Sequence, residues 1–345
     1  MFTLRHAELL GILEAWLLSH RMGVSVNDLV LKAAKLVEHD DILNITAGEQ
    51  LYDGYDLLPC ALEAWLREGE DLTSNRHNFV FCPEESIVGF RSIYFQDGGR
   101  ACVRFAFRIS KFLRGKGFGR HATTLLEEYL RENFPDLEKV LSAKSDANLC
   151  DEEIKSSKHG ELLFVKSVIN YKFSMPFITI PETAEDGFRF IPREEFSQIL
   201  GSEEKTGNIL QHNIAHVHWV PVILGTEADI EFATRQKQDV LLHGSVDAPI
   251  SFSILTLQNA SKRTCIDIFA GDENDIKNHV KLQIGRLSSI SKGEAGEFLL
   301  SLVMRKDMEA PALEMMEDLG WQRFQYKYGS QDRQIPHMYI HSKQA

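Results

Sequence analysis

No stretch of the sequence approaches the roughly 20 consecutive apolar residues of a membrane-spanning helix. The apolar start, residues 9–18, is interrupted by Glu14, has no basic residue before it beyond Arg5, and is followed by no convincing small-residue cleavage site. It reads as an amphipathic helix packing on the body, with Leu9, Leu13, Trp16 and Leu17 on one face, rather than as a signal peptide. Cysteine is sparse. Cys60, Cys82, Cys102, Cys150 and Cys265 stand singly, odd in number and without metal-ligand or redox spacing, so reduced thiols in the cytoplasm are the simplest account. An excess of positive charge is also missing. The formal net charge of −12 argues against a general nucleic-acid or membrane-surface binder. What remains is an ordinary soluble composition, 43% apolar and 26% charged, over 345 residues, enough for about two domains.

One stretch departs from the acidic average. Between residues 101 and 120 stand Arg104, Arg108, Lys111, Arg114, Lys116 and Arg120, with no Asp or Glu among them. Its centre is Arg114-Gly115-Lys116-Gly117-Phe118-Gly119-Arg120. An alternating apolar run, 101–109, predicts a strand before it, and 118–131 predicts a helix after it. Glycines at alternate positions let main chain come close to a ligand, because no Cβ stands in the way. The first N–H groups of a helix lack intrahelical partners and carry the positive end of its dipole. Strand, glycine turn and helix together make an anion cradle suited to pyrophosphate, the alternative being a glycine turn with no ligand. A Walker loop requires a Lys-Ser/Thr ending that is absent here, and the dinucleotide Gly-x-Gly-x-x-Gly spacing is not met. The spacing that fits is Arg-x-x-Gly-x-Gly, from Arg114, Gly117 and Gly119.

That pattern resembles the acetyl-CoA loop of the GCN5-related N-acetyltransferases (GNAT). The surrounding elements support the resemblance. A strand at 33–38, a short helix through Ile45 capped by Asp40 or Asp41, and a helix at 60–67 opened by Pro59 come first. Strands at 77–82, 86–95 and 101–109 follow, the last two joined by a hairpin at 96–99. After the loop and helix come a strand at 140–143, a helix at 149–158, and strands at 162–166 and 168–173. This is the order of a GNAT fold, an α/β arrangement around a mixed sheet. Residues 52–59, 97–99, 107–109, 114–117 and 158–165 further resemble the histidine N-acetyltransferase family, as do 218–221 and 266–269 more weakly.

The predicted organisation is therefore an N-terminal helical extension (1–32), a GNAT acetyl-CoA-binding domain (33–173), a linker (174–190) and a C-terminal half (191–345). That half alternates again: strands at 217–224, 240–242, 250–257 and 264–269, a helix at 275–286, a strand at 297–304, a helix at 310–319 and a strand at 321–328. It resembles a second GNAT unit. Between Phe269 and Asp275, however, stands Ala270-Gly271-Asp272-Glu273-Asn274, whose acids would repel pyrophosphate, so this unit is expected to be degenerate and without cofactor. His212, His216 and His218 invite a zinc reading, with His216 and His218 on one face of a strand. No carboxylate or cysteine stands near them in sequence, so ordinary histidines and no metal are expected.

The resemblance implies acetyl transfer from acetyl-CoA to a small-molecule amine, the α-amine of an amino acid with histidine first. Phe107, Arg108, Ile109, Arg114, Gly115, Lys116, Gly117, Phe118 and Gly119 would bind the cofactor. The glutamates that the family leads one to expect in the third and fourth strands are replaced, at Arg91 and near Phe105, and Glu153 stands near the place of an expected tyrosine. Candidates for the base are then Asp56 and Glu153, with Asp97 a turn former. A carboxylate would serve as base because an ammonium has no lone pair for attack. Tyr52, Tyr55, Asp56, Arg91 and Arg104 are the candidate substrate contacts. No nucleic-acid or membrane partner is expected, and a homodimer is left open. The other reading is a CoA-binding or sensing protein that has lost turnover.

Overall fold

In the computed structural model, residues 25–47, 49, 56–71, 73–145, 160–175, 187–217, 220–235, 238–258, 262–290, 296–324 and 337–345 are described. They fall into two compact units, Met1–Val140 with Gln344–Ala345, and Leu141–Lys343. The expected helices at 1–24 and 149–158 lie outside the described residues.

The first unit is built on four antiparallel strands in chain order: β1 (Leu29–Ala33), β2 (Arg76–Pro83), β3 (Gly89–Gln96) and β4 (Ala101–Ile109). Residues 29–32, expected as helix, are strand instead, and 36–38, expected as strand, are a 3-10 turn. The reason is pairing: Leu29 to Ala33 lie opposite Pro83 to Phe79, with Leu29 buried. Two helices, α1 (His39–Asn44) and α2 (Leu58–Glu70), cover one face. Their Ile42, Leu58, Leu62 and Leu66 pack with Val80, Cys82 and Phe90. The other face carries α3 (Phe118–Asn133), whose Phe118, Ala122, Leu126 and Leu130 recur at helical spacing and meet Phe79, Phe81, Ile93 and Phe95.

Gly89 marks the tightest approach in this sheet. A Cβ there would stand 2.7 Å from Ile109 Cδ1 and 3.2 Å from the Arg108 carbonyl oxygen. Gly89→Ala should therefore destabilise the unit by about 1–3 kcal/mol, the usual cost of overpacking. Chemical denaturation reads this directly, and an unchanged midpoint would show that the strand yields without cost.

The second unit begins with β5 (Lys139–Ser145), whose first residues belong to the first unit, and β6 (Glu161–Met175). Two strands were expected where β6 runs unbroken. From Phe164 on it alternates between faces, with Phe164 and Val168 on one side and Ile169, Tyr171 and Phe173 on the other. Its apolar side joins the core of the second unit, although the sequence groups it with the first domain. Then come β7 (Phe188–Ile191), α4 (Arg193–Leu200), α5 (Glu203–Thr206), a separate hairpin of β8 (Ile214–Val217) and β9 (Val220–Ile223), and α6 (Glu227–Thr234). The single strand expected at 217–224 is thus two. Next are β10 (Gln238–Gly244), β11 (Pro249–Gln258), β12 (Arg263–Phe269), α7 (Glu273–Ile290), β13 (Gly296–Arg305) and α8 (Glu309–Asp318). The strand expected at 321–328 appears only as an isolated bridge from Arg323 to Tyr171 among the described residues. The strand that completes the unit is β14 (His337–Gln344), paired with β6 and unmarked by the sequence reading.

The strand order here is β14-β6-β13-β12-β11-β10-β7, and the β12–β13 pair is parallel. A parallel pair needs a crossover, and α7 supplies it. Helices α7 and α8 bury Ile276, Val280, Ile284, Ala312 and Met316 against Ile266, Ile268, Leu300 and Leu302. No described helix is long and apolar enough to cross a membrane.

Candidate functional site

Strand β4 decides the geometry of the first unit. Up to Phe105 it alternates in the ordinary way. Cys102 faces α3, as does Arg104, whose guanidinium donates to Glu127 on that helix at 3.0 Å. Phe105 faces the other side, edge-on to Trp65 of α2 at 5.3 Å. Then the register slips. Ser92 pairs with Phe105 but Phe90 pairs with Arg108, so β4 holds one residue more than β3. The extra residue is a β-bulge at Ala106, where φ is +52°. Its effect is to exchange the faces of everything that follows. Phe107 and Ile109 turn to the α3 side and join Phe81, Leu113 and Phe118, while Arg108 turns to the α2 side.

Past Ile109 a short 3-10 turn, Lys111–Leu113, leads into the glycine loop. Gly115 and Gly117 both have positive φ, +75° and +88°, and Gly117 is the N-cap of α3. Gly119 lies within the helix, and its role is space alone. A Cβ on Gly115 would meet nothing within 4 Å, and one on Gly117 only Val26 Cγ2 at 3.8 Å. The outer surface of the loop is therefore open, and the first turn of α3 carries no acidic residue. These features fit a pyrophosphate: bare backbone, a helix N-terminus and no acid in the first turn of that helix.

The cations of this stretch divide in a way that sequence does not reveal. Arg114 donates through Nε to the Ile109 carbonyl at 2.9 Å and through both terminal nitrogens to Glu49, at 2.6 and 2.9 Å. It braces the end of β4 rather than presenting an uncompensated charge. Lys116 and Arg120 are exposed and have no ion pair among the described residues. They are the cations best placed to meet a phosphate.

The candidate substrate residues do not assemble as one set. Arg91 and Arg104 are on the α3 face, whereas Asp56 meets Arg108 on the α2 face, and the sheet lies between. Arg91 lies over the Phe107 ring at 4.6 Å. Burial and the neighbouring Arg104 charge push its guanidinium down to about 9, still charged at neutral pH. Arg91 and Arg104 therefore do not share a face of the sheet with Asp56. Asp56 itself accepts from Arg108 at 2.8 Å and from the Leu58 N–H at 3.2 Å. Asp97 is in the hairpin turn, where it pairs with Arg100 at 2.7 Å. Tyr52, Tyr55 and Glu153 lie outside the described residues.

On the α2 face the structure adds a group that the sequence reading passed over. Arg76 is only 2% exposed, bonded to Glu68 at 2.7 Å and to Ser92 at 3.3 Å, among the rings of Trp65, Tyr94 and Phe105. No local signal marks it, because its partners come from three other elements.

Residues 48–149 match the family model described as "Acetyltransferase (GNAT) family". This stretch is a GNAT domain. The histidine N-acetyltransferase of Xenopus tropicalis is 24% identical over 161 residues, which cover 46% of this chain and 47% of that protein. The matched stretch thus spans about half the length of that curated relative. A GCN5-related N-acetyltransferase from Sphaerobacter thermophilus superposes with a TM-score of 0.56 at 12% identity, covering 92% of this chain and 96% of the other. A tandem GNAT protein from the clavulanic acid biosynthesis pathway, solved without acetyl-CoA, gives 0.57 at 11%, over 92% and 98%. At these identities the likeness is one of fold, and it extends beyond the first GNAT domain to the second unit.

That second unit is GNAT-like but lacks the loop. Between β12 and α7 the side chain of Asp272 caps the Asp275 N–H at 2.9 Å, and Glu273 and Asp275 sit in the first turn. A helix start with one N–H already capped by a carboxylate and two more acids in its first turn is unfavourable to an anion. His212 stacks on Phe164, and His216, buried, bonds Asp267 at 2.9 Å. No group of three or more metal-binding side chains gathers among the described residues. His218 lies outside them.

Proposed function

We propose that the chain is an acetyl-CoA-dependent N-acetyltransferase acting on the α-amine of a small amino acid, with histidine first. The observation that carries this is the open glycine cradle at the head of α3, placed directly after a bulged β4 in a GNAT domain. The name of the curated relative is what supports histidine.

Acetyl-CoA supplies an acyl carbonyl activated as a thioester. The chain's own part is binding and orientation. The N–H groups at Gly117 and the first turn of α3 would hold the pyrophosphate, with Lys116 and Arg120 beside them. Main chain near Phe107 and Ile109 would flank the acyl arm of bound acetyl-CoA and offer N–H donors to its carbonyl oxygen, the largest contribution such a site offers. The acceptor amine arrives neutral or loses its proton to a base.

Strands β3 and β4 carry no Asp or Glu, so a carboxylate base does not stand on them. This favours a second reading, a CoA-binding protein without turnover. Purified protein with acetyl-CoA and a panel of amines, followed by release of free thiol, separates the two. Histidine turning over fastest supports the first reading; binding without thiol release on any amine supports the second. Calorimetry should give one acetyl-CoA per chain, since only the first loop is open, and two would contradict the degenerate second unit. The unpaired state of Cys60, Cys82, Cys102 and Cys265 suits a cytoplasmic protein.

A further inference from the structure

We propose that Asp56 and Arg108 form a positioning pair that holds the β4 bulge to the start of α2, acting on acetyl transfer through the backbone and not by accepting a proton. This rests on the preceding reading that main chain at the bulge faces the acyl group.

Three bonds converge on the pair. Arg108 donates from one terminal nitrogen to the Phe107 carbonyl at 3.1 Å and from the other to Asp56 Oδ1 at 2.8 Å. The same Asp56 oxygen accepts from the Leu58 N–H at 3.2 Å, in the first turn of α2. One carboxylate oxygen thus joins the helix to a strand 52 residues away in sequence. The two side chains are 11% and 16% exposed, so the pair is little screened by water.

What it holds needs holding. Ala106 sits at φ +52°, a region that disfavours any residue with a Cβ and persists only where the surroundings impose it. The peptide joining Phe107 to Arg108 is planar, with its C=O and N–H pointing in opposite directions. Fixing the carbonyl by the guanidinium therefore fixes the tilt of that plane, and with it the direction of the main-chain groups on either side of the bulge.

The test compares Asp56→Ala, Asp56→Asn, Arg108→Ala and the Asp56→Ala/Arg108→Ala double variant. An amide oxygen still accepts from Arg108 and Leu58 but cannot take up a proton. Asp56→Ala and Arg108→Ala should each lower kcat on the order of tenfold to a hundredfold, the range expected when reacting groups are misplaced. The double variant should be no worse than either single one, as for residues that act as a unit. Asp56→Asn should recover most of kcat, with the acid limb of the pH profile unmoved and KM for the amine little changed. If Asp56→Asn is as inactive as Asp56→Ala and loses the acid limb, Asp56 is the base and the proposal is overturned. If the wild type shows no turnover, the functional reading fails, but the pair is still read by hydrogen exchange at residues 106–109. Exchange should quicken in Asp56→Ala and not in Asp56→Asn, and equal rates in all three proteins would overturn the pair.

Discussion

Gly117→Val should abolish measurable acetyl-CoA binding while leaving a folded protein. Gly117 is held at φ +88° as the N-cap of α3. A residue with a Cβ pays about 1–2 kcal/mol to stay in that region, and a β-branched one is the least tolerant. The fold has room for the added atoms, since only Val26 comes within 4 Å of a Cβ there. The open space that admits them is the space a pyrophosphate would occupy. Losing two charge-assisted backbone hydrogen bonds, each about 1.5–3 kcal/mol, reduces affinity at least a hundredfold. Gly119→Val should also weaken binding, but for one reason only. Its backbone is helical, so left-handed strain does not apply. A Cβ there would rest against the Phe107 ring at 3.7 Å and stand between loop and ligand. Calorimetry on both folded variants decides the matter, and wild-type affinity in Gly117→Val would refute the assignment of this loop.

The second large effect concerns acid and the second unit. His279 on α7 is fully buried, its Nε2 at 2.9 Å from Ser251 Oγ and its Nδ1 at 2.9 Å from Ser253 Oγ. Ser251 donates in turn to Asp275 at 2.7 Å, and Asp275 lies 2.9 Å from His243. Burial, and after it the His243 charge, push the His279 imidazole down to about 3. The unfolded chain takes up that proton near the ordinary value of 6.5, whereas the folded chain does not until about pH 3. Between those values the unfolded state holds one more proton, so stability falls as pH falls, at about 1.4 kcal/mol per unit. Over the whole window the loss attributable to this residue approaches, as an upper figure, about 5 kcal/mol. Above pH 6.5 the contribution is flat. Denaturant unfolding from pH 7 to pH 4.5 should show the decline. His279→Leu should be weaker at pH 7, having lost two hydrogen bonds, yet show a visibly shallower slope. Equal slopes in the two proteins would show that His279 is not the residue responsible.

Much of the site was legible in the residues themselves. The strand at 101–109, the turn and the helix beginning at Phe118 are where alternation, glycine and helical spacing put them. Each of those signals is local, repeating every two residues or every three to four along one segment. The absence of an open loop in the second unit was equally plain, because Asp272, Glu273 and Asp275 announce a helix start that carries its own acids. Element edges were less clear. The 29–32 segment read as helix because its partner strand is not part of the local pattern. The same applies to the β8–β9 hairpin and to β14.

By itself, then, the sequence determined the glycine cradle, its helix, the acidic balance and the alternating strands that place a mixed sheet between helices. The tertiary structure alone decided which charges face where. One extra residue at Ala106 reverses the faces of β4, sending Arg108 to Asp56 while Arg91 and Arg104 lie under α3. A bulge is a mismatch between two strands, so neither strand's own residues record it. Side-chain contacts such as Glu49 with Arg114, Asp56 with Arg108 and His216 with Asp267 join positions 51 to 65 residues apart, which no local spacing can show. The charges of this chain could be counted from its residues, but their partners were set by folding.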